Sequence, residues 1–144
     1  MVVNFKKTMD SAHIPTKGTE HSAGADLYSV ECPTSIMPGE TKKIGTGIAV
    51  EIPEGYAGLV FARSGLSCKS GLAPANKVGV IDSDYRGEIF VFLHNHGDSP
   101  YTVRPGDRIA QIVFVPFASA SFNEVNDLSE TARGEGGFGS TGTN

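Results

Sequence analysis

The sequence predicts an all-β domain, a sandwich or barrel of short strands. Glycine and proline account for 18 and 8 of the 144 residues. They punctuate the chain at intervals of about ten residues, the rhythm of strands joined by tight turns. Between them lie stretches rich in Val, Ile and aromatic residues at 27–30, 42–52, 58–62, 88–94, 101–103 and 109–117. The length suits one domain, which hides roughly 68–70% of its unfolded surface and so needs no covalent staple.

The first strand, 27–30, follows a turn at Ala23-Gly24, with Asp26 free to bond a neighbouring loop. The turns are Pro38-Gly39, Pro53-Glu54-Gly55, Gly97-Asp98-Ser99-Pro100 and Pro105-Gly106. In these, proline pre-sets φ and glycine supplies φ > 0. Stretches 88–93 and 109–117 are apolar on both parities, which predicts cover on both faces. One stretch, 64–71, fits a two-turn helix entered directly from a strand, with Ser64 as N-cap and Gly71 as its stop. Its interior is poor in helix formers and depends on tertiary support, while its start offers free N–H groups to an anion.

Residues 130–144 differ in kind. They hold five glycines around Phe138 and cannot bury enough apolar surface to order themselves. The chain therefore divides into a β body, 1–129, and a glycine-rich arm, 130–144. A solvated tail is one reading of that arm. The other is that Arg133, the glycine run and the hydroxyls of Ser140 and Thr141 supply the parts of a phosphate-binding loop, without the Walker lysine.

Several function classes drop out. A formal charge of −4 with no basic block makes a poor binder of duplex DNA. The longest apolar runs, 89–93 and 112–117, are too short to span a bilayer. The first residues place their positive charges after a tiny apolar stretch, unlike a secretory signal, so a soluble intracellular domain is expected. Cys32 and Cys68 are then read as reduced and structural. His94 and His96 share one strand face with no Cys or carboxylate at ligand spacing, a surface pair rather than a zinc site.

Three segments carry candidate chemistry. Asp82-Ser83-Asp84 before Tyr85 reads as a turn or as a carboxylate pair for metal or general-base work. Arg63-Ser64-Gly65 at the strand–helix junction suits an anion, or else a surface ion pair and a cap. Gln111 inside an apolar strand must find partners, as a core hydrogen-bonder or a ligand contact.

Taken in order, AGADLYS (23–29), ARSGLSCKSG (62–71), GVIDSDYRGE (79–88), PGDRIAQIVF (105–114) and RGEGGFGSTG (133–142) closely resemble the five motifs of the homotrimeric dUTPase family. The resemblance covers nearly the whole chain, and the third and fifth motifs together are highly specific. Departures are small: Ala62 stands where the family usually has proline, and Asn76-Lys77-Val78 looks like the bacterial form of the hairpin.

The resemblance implies a distorted, jelly-roll-like β-barrel with one short helix and a flexible C-terminal arm. It implies cleavage of dUTP to dUMP and pyrophosphate by water attacking the α-phosphorus. That activity would limit uracil incorporation into DNA, supply dUMP for thymidylate synthesis, and operate in the cytoplasm or, in a eukaryote, the nucleus. Asp82 matches the general base and Asp84 the turn acid. Arg63, Ser64, Gly65, Gln111, Arg133, Gly139, Ser140 and Thr141 match the phosphate ligands. Mg2+ would sit on the triphosphate, held mainly by phosphate oxygens and water, with Asp26 touching metal-bound water or a motif arginine. The hairpin carrying Asn76, Gly79, Val80 and Ile81 would read uracil, Tyr85 would stack on deoxyribose, and Phe138 would close over the base. Trimers with sites shared between subunits are likewise implied. A dCTP deaminase shares this fold but needs another acid and a cytosine-compatible pocket. A non-enzymatic trimeric nucleotide-binding β-domain would not need Asp82, Arg133 and Phe138 together.

Overall fold

Seven consecutive residues of β5 (Thr41–Glu51), Ile44 to Val50, are buried, so this strand runs through the middle of the protein. A computed structural model describes residues 1–137. In it β5 pairs antiparallel with β1 (Asn4–Lys7) and β9 (Glu88–Asn95), and β7 (Leu72–Pro74) adds beyond β9, in the order β1-β5-β9-β7. The second sheet is β2-β3-β11-β6-β8, built from Thr16–Lys17, Ala25–Tyr28, Arg108–Pro116, Tyr56–Phe61 and Gly79–Ile81. A ribbon of β4 (Thr34–Ile36) and β10 (Tyr101–Val103) lies beside them. One core joins all three: Ile44, Val91 and Leu93 from the first sheet, Leu27, Val60 and Ile112 from the second, and Ile36 and Val103 from the ribbon. The all-β architecture with a single short helix is thus as expected.

One strand expectation needs correction. β9 alternates: Ile89, Val91 and Leu93 point into the core, whereas Phe90 and Phe92 remain 38% and 51% exposed. Its outer face is therefore partly open within one chain, with the Lys43 ammonium 3.6 Å from the Phe90 ring centroid. β11 comes closer to the two-sided cover expected: Ile109, Ala110 and Ile112 are buried, and Val113, Phe114 and Val115 are half-buried.

The proline–glycine turns form as their chemistry dictates. Met37–Glu40, Pro53–Tyr56 and Arg104–Asp107 close with N–H to carbonyl distances of 2.9, 3.1 and 3.1 Å. Their glycines, Gly39, Gly55 and Gly106, have φ of 75°, 80° and 81°, the left-handed third position of a type II turn. The turn at 97–100 is organised differently. Buried Asn95 donates from Nδ2 to the carbonyls of Ile36 and Ser99, both at 2.9 Å, and its Oδ1 accepts the Gly97 N–H at 2.9 Å. Asn95→Ala orphans two carbonyls and an N–H, each worth about 1–3 kcal/mol when buried. The expected loss is about 3 kcal/mol or more, read as a lower urea midpoint at unchanged slope.

Helix α1 (Ser64–Ser70) ends at Gly71, whose φ of 69° is left-handed and whose N–H reaches the Ser67 carbonyl at 3.0 Å. A Cβ at Gly71 would strike the Gly97 backbone, so glycine is required there twice over. Ser64 is not the N-cap. That position belongs to Arg63, which is extended and makes no side-chain cap, because a guanidinium has only donors and cannot accept a helix N–H; Ser64 is already helical. Cys32 and Cys68 are free thiols, but both are exposed rather than packed. His94 and His96 form the expected surface pair, ring centroids 4.3 Å apart. No helix among the described residues is long and apolar enough to cross a membrane. From Phe117 to Gly137 there is neither strand nor helix, and Phe122 and Leu128 stand exposed.

Candidate active site

Register across the second sheet assembles the first cluster. Asp26 on β3 lies opposite Gln111 on β11, which lies opposite Phe61 at the end of β6. Two residues later the chain delivers Arg63. Arg63 Nε donates to Asp26 Oδ1 at 2.7 Å, Arg108 Nη1 to Asp26 Oδ2 at 3.2 Å, and Arg63 Nη1 to the Arg108 carbonyl at 3.3 Å. Gln111 Nε2 donates to the Ala62 carbonyl at 2.9 Å. Gly24 has no Cβ because one would run into the Gln111 amide. The Asp26 side chain is only 15% exposed, and its charge-assisted bonds hold Arg63 in one orientation. Ser64 and Gly65 follow in the first turn of α1, where N–H groups lack intrahelical acceptors and no acidic residue intrudes.

These residues border a groove of about 480 Å³ lined by Arg63, Gly65, Lys69, Tyr101, Asp107 and Arg108. Burial raises the Tyr101 phenol above its ordinary pKa; the Asp107 carboxylate adds to this and Arg63 opposes it. Tyr101 therefore remains a protonated donor at neutral pH, beside three cationic side chains. Three cations against the Asp107 carboxylate leave its lining positively charged.

A second cluster grows from β8, an edge strand paired with β6 through Gly58↔Ile81, Leu59↔Val80 and Val60↔Gly79. Asp82 leaves that strand into a turn closed by the Tyr85 N–H on the Asp82 carbonyl at 3.2 Å. Val80, Ile81, Asp82 and Tyr85 line an apolar groove of about 240 Å³ together with Glu88, Phe90 and Phe92. Asp84 is exposed and is not part of that lining, which separates the two acids of the turn. At the other end of the hairpin, the Val78 N–H meets the Asn76 carbonyl at 2.7 Å around Lys77, whose φ is 65°. An i to i+2 turn with a left-handed centre is uncommon and strained, and it fixes how Asn76 enters the hairpin.

The two clusters do not meet within one chain. Antiparallel pairing sets Asp82 beside Ala57, at the start of β6, whereas Arg63 lies just past its end. Six extended residues put them roughly 20 Å apart. Arg133 joins neither cluster: its Nε donates to the Gly136 carbonyl at 2.8 Å and it is exposed. Phe138, Gly139, Ser140 and Thr141 lie outside the described residues. Sequence reasoning overlooked Arg108, Lys69 and Tyr101 as neighbours of Arg63. Arg108 stood in the same PGDRIAQ segment as Gln111, but nothing local revealed that it would reach Asp26.

The dUTPase family model matches residues 10–142. The chain belongs to the dUTPase family. Among dUTPases it is 53% identical over 131 residues to the deoxyuridine 5'-triphosphate nucleotidohydrolase of Desulfitobacterium hafniense, covering 90% of this chain and 87% of that one. It is 49% identical over 142 residues to that of Nautilia profundicola, with 99% of each chain covered. The solved dUTPase of Staphylococcus bacteriophage 80alpha with dUpNHpp superposes with a TM-score of 0.91 at 31% identity, over 98% of each chain. A D95N dUTPase from phage phi11 of S. aureus, described for its coordination of a structural Mg(II) ion, matches with a TM-score of 0.80 at 27% identity, over 88% of this chain and 98% of that one.

Proposed function

We propose that the protein hydrolyses dUTP to dUMP and pyrophosphate in a homotrimer, at sites formed between copies. The separation of Asp82 from Arg63 within one chain carries this reading. A bound triphosphate is far shorter than that gap, so a complete site takes the nucleoside groove from one copy and the cationic groove from another. The open outer face of β9, with Phe90 and Phe92, also favours a partner copy.

In that site Asp82 takes the proton from the water that attacks the α-phosphorus, within about 2.6–3.2 Å of it. Arg63, the first-turn donors of Ser64 and Gly65, and Gln111 hold the phosphates. Asn76, Gly79, Val80 and Ile81 present hairpin backbone to uracil, whose N3–H lies between two carbonyls. Cytosine reverses that pattern and leaves buried groups unpaired, which a hydrogen-bonding site rejects by ~10⁴ or more. The Tyr85 ring lies against deoxyribose and leaves no space for a 2′-hydroxyl. The arm from residue 130 brings Arg133, Gly139, Ser140 and Thr141 to the phosphates while Phe138 covers the base and excludes water. The reaction keeps uracil out of DNA and feeds thymidylate synthesis, and we place it in the cytoplasm.

No three His, Cys, Asp or Glu side chains converge among the described residues, and both Asp26 oxygens are engaged by arginines. That donor set suits Mg2+ held mainly by phosphate oxygens and water, where it neutralises triphosphate charge. Asp26 then acts through Arg63. Asp26→Asn is expected to raise KM for dUTP about tenfold, measured by steady-state pyrophosphate release. The whole reading is tested by pyrophosphate release from dUTP, dTTP, dCTP and UTP, with and without magnesium. Release from dUTP alone supports it; ammonia from dCTP would mark a deaminase instead.

A further inference from the structure

The Tyr85 ring is held from behind by a residue that the reaction itself does not use. Its hydroxyl donates to the Glu88 carbonyl at 2.9 Å, and the ring lies so close over Gly87 that any Cβ there would run into the hydroxyl. The Glu88 side chain turns the other way. Its Oε1 accepts the Gly47 N–H at 2.9 Å and its Oε2 accepts the Thr8 hydroxyl at 2.8 Å. Gly47 lies in the bulge of β5, where the ladder with β9 skips from Gly45 to Ala49 and Gly47 has φ of 65°. A bulge frees N–H groups from the ladder, and the Glu88 carboxylate satisfies this one. The same residue therefore ties the first position of β9 to the bulge and offers the carbonyl that catches Tyr85.

We infer that Glu88 is a positioning residue for sugar discrimination: by docking on the β5 bulge it fixes the Tyr85 ring against the 2′ position of the nucleotide. This rests on the reading of the protein as a dUTP hydrolase with Tyr85 at the sugar. If the carboxylate lets go, the start of β9 shifts, the hydroxyl loses its acceptor, and the ring can swing to admit a ribose. The effect is on selectivity rather than on the attack of water, since the two Glu88 carboxylate oxygens are bonded to Gly47 and Thr8 rather than to Asp82.

The test compares kcat/KM for dUTP and for UTP, with melting temperatures, in the wild type, Glu88→Ala, Glu88→Gln, Thr8→Val and Tyr85→Phe. Glu88→Ala should lower the dUTP/UTP ratio about tenfold, mainly by raising turnover of UTP. Glu88→Gln keeps an acceptor for Gly47 and a polar partner for Thr8, so it should retain the wild-type ratio. Thr8→Val removes one donor at the exposed end and should lower the ratio less than Glu88→Ala; it serves alone if Glu88→Ala does not fold. Adding Glu88→Ala to Tyr85→Phe should cost no further selectivity, because the link is already cut. Lower melting temperatures with an unchanged dUTP/UTP ratio in Glu88→Ala, or in Thr8→Val when only that variant folds, would overturn the inference and leave Glu88 a packing residue. A wild-type enzyme that does not hydrolyse dUTP would instead overturn the functional reading beneath it.

Discussion

Asp82→Asn is expected to cut dUTP turnover by about 10²–10⁴-fold, the usual contribution of a positioned general base. The amide keeps the size of the side chain but cannot take a proton from water at neutral pH. Asp82 is exposed at the end of β8, and its fold contribution is the carbonyl that closes the turn on Tyr85, which the substitution preserves. Melting temperature should therefore hold, and so should binding of a non-hydrolysable dUTP analogue by calorimetry. Loss of rate with retained affinity is the signature of a group that acts in the transition state. Near-normal turnover in this variant would assign the base elsewhere, with Asp84 the first candidate.

A chain ending at Glu130 should show the second large effect. It should fold, because no described residue beyond Phe114 packs into the core, yet hydrolyse dUTP about 10³-fold more slowly or worse. If the arm closes as proposed, removing Arg133 and the residues after it takes away phosphate donors and the cover over the base at once. Far-ultraviolet circular dichroism and single-turnover pyrophosphate release distinguish the two parts of this expectation. Full activity in the shortened chain would mean the arm plays no part in the site.

The features legible in the sequence were those decided locally. Pro38-Gly39 and Pro105-Gly106 dictate their turns through φ alone, and Gly71 stops α1 because only glycine accepts φ of 69° against the Gly97 backbone. Strands of two or three residues, such as β2, β4 and β8, offer too few positions for a period of two to register. Phe90 and Phe92 read as buried because an alternating strand with apolar residues on both faces looks the same whether its own chain or another copy covers it. The contacts that orient Arg63 were beyond local reasoning altogether. Asp26 meets Arg63 across 37 residues and Arg108 across 82, and only the register of β3 on β11 brings them together. Asn95 was hidden for the same reason, since its side chain serves carbonyls of another strand and a following turn. The site's residue types were visible in the five segments; their division between two ends of one sheet was not.

That division can be measured by mixing two inactive chains, Asp82→Asn and Arg63→Ala, unfolding them together and refolding them as one population. If each site draws Asp82 from one copy and Arg63 from another, random assembly restores about a quarter of the sites, and dUTP turnover should rise to about a quarter of the wild-type value. A mixture no more active than its two components would contradict a site built between copies and require Asp82 and Arg63 to serve the same nucleotide from one chain.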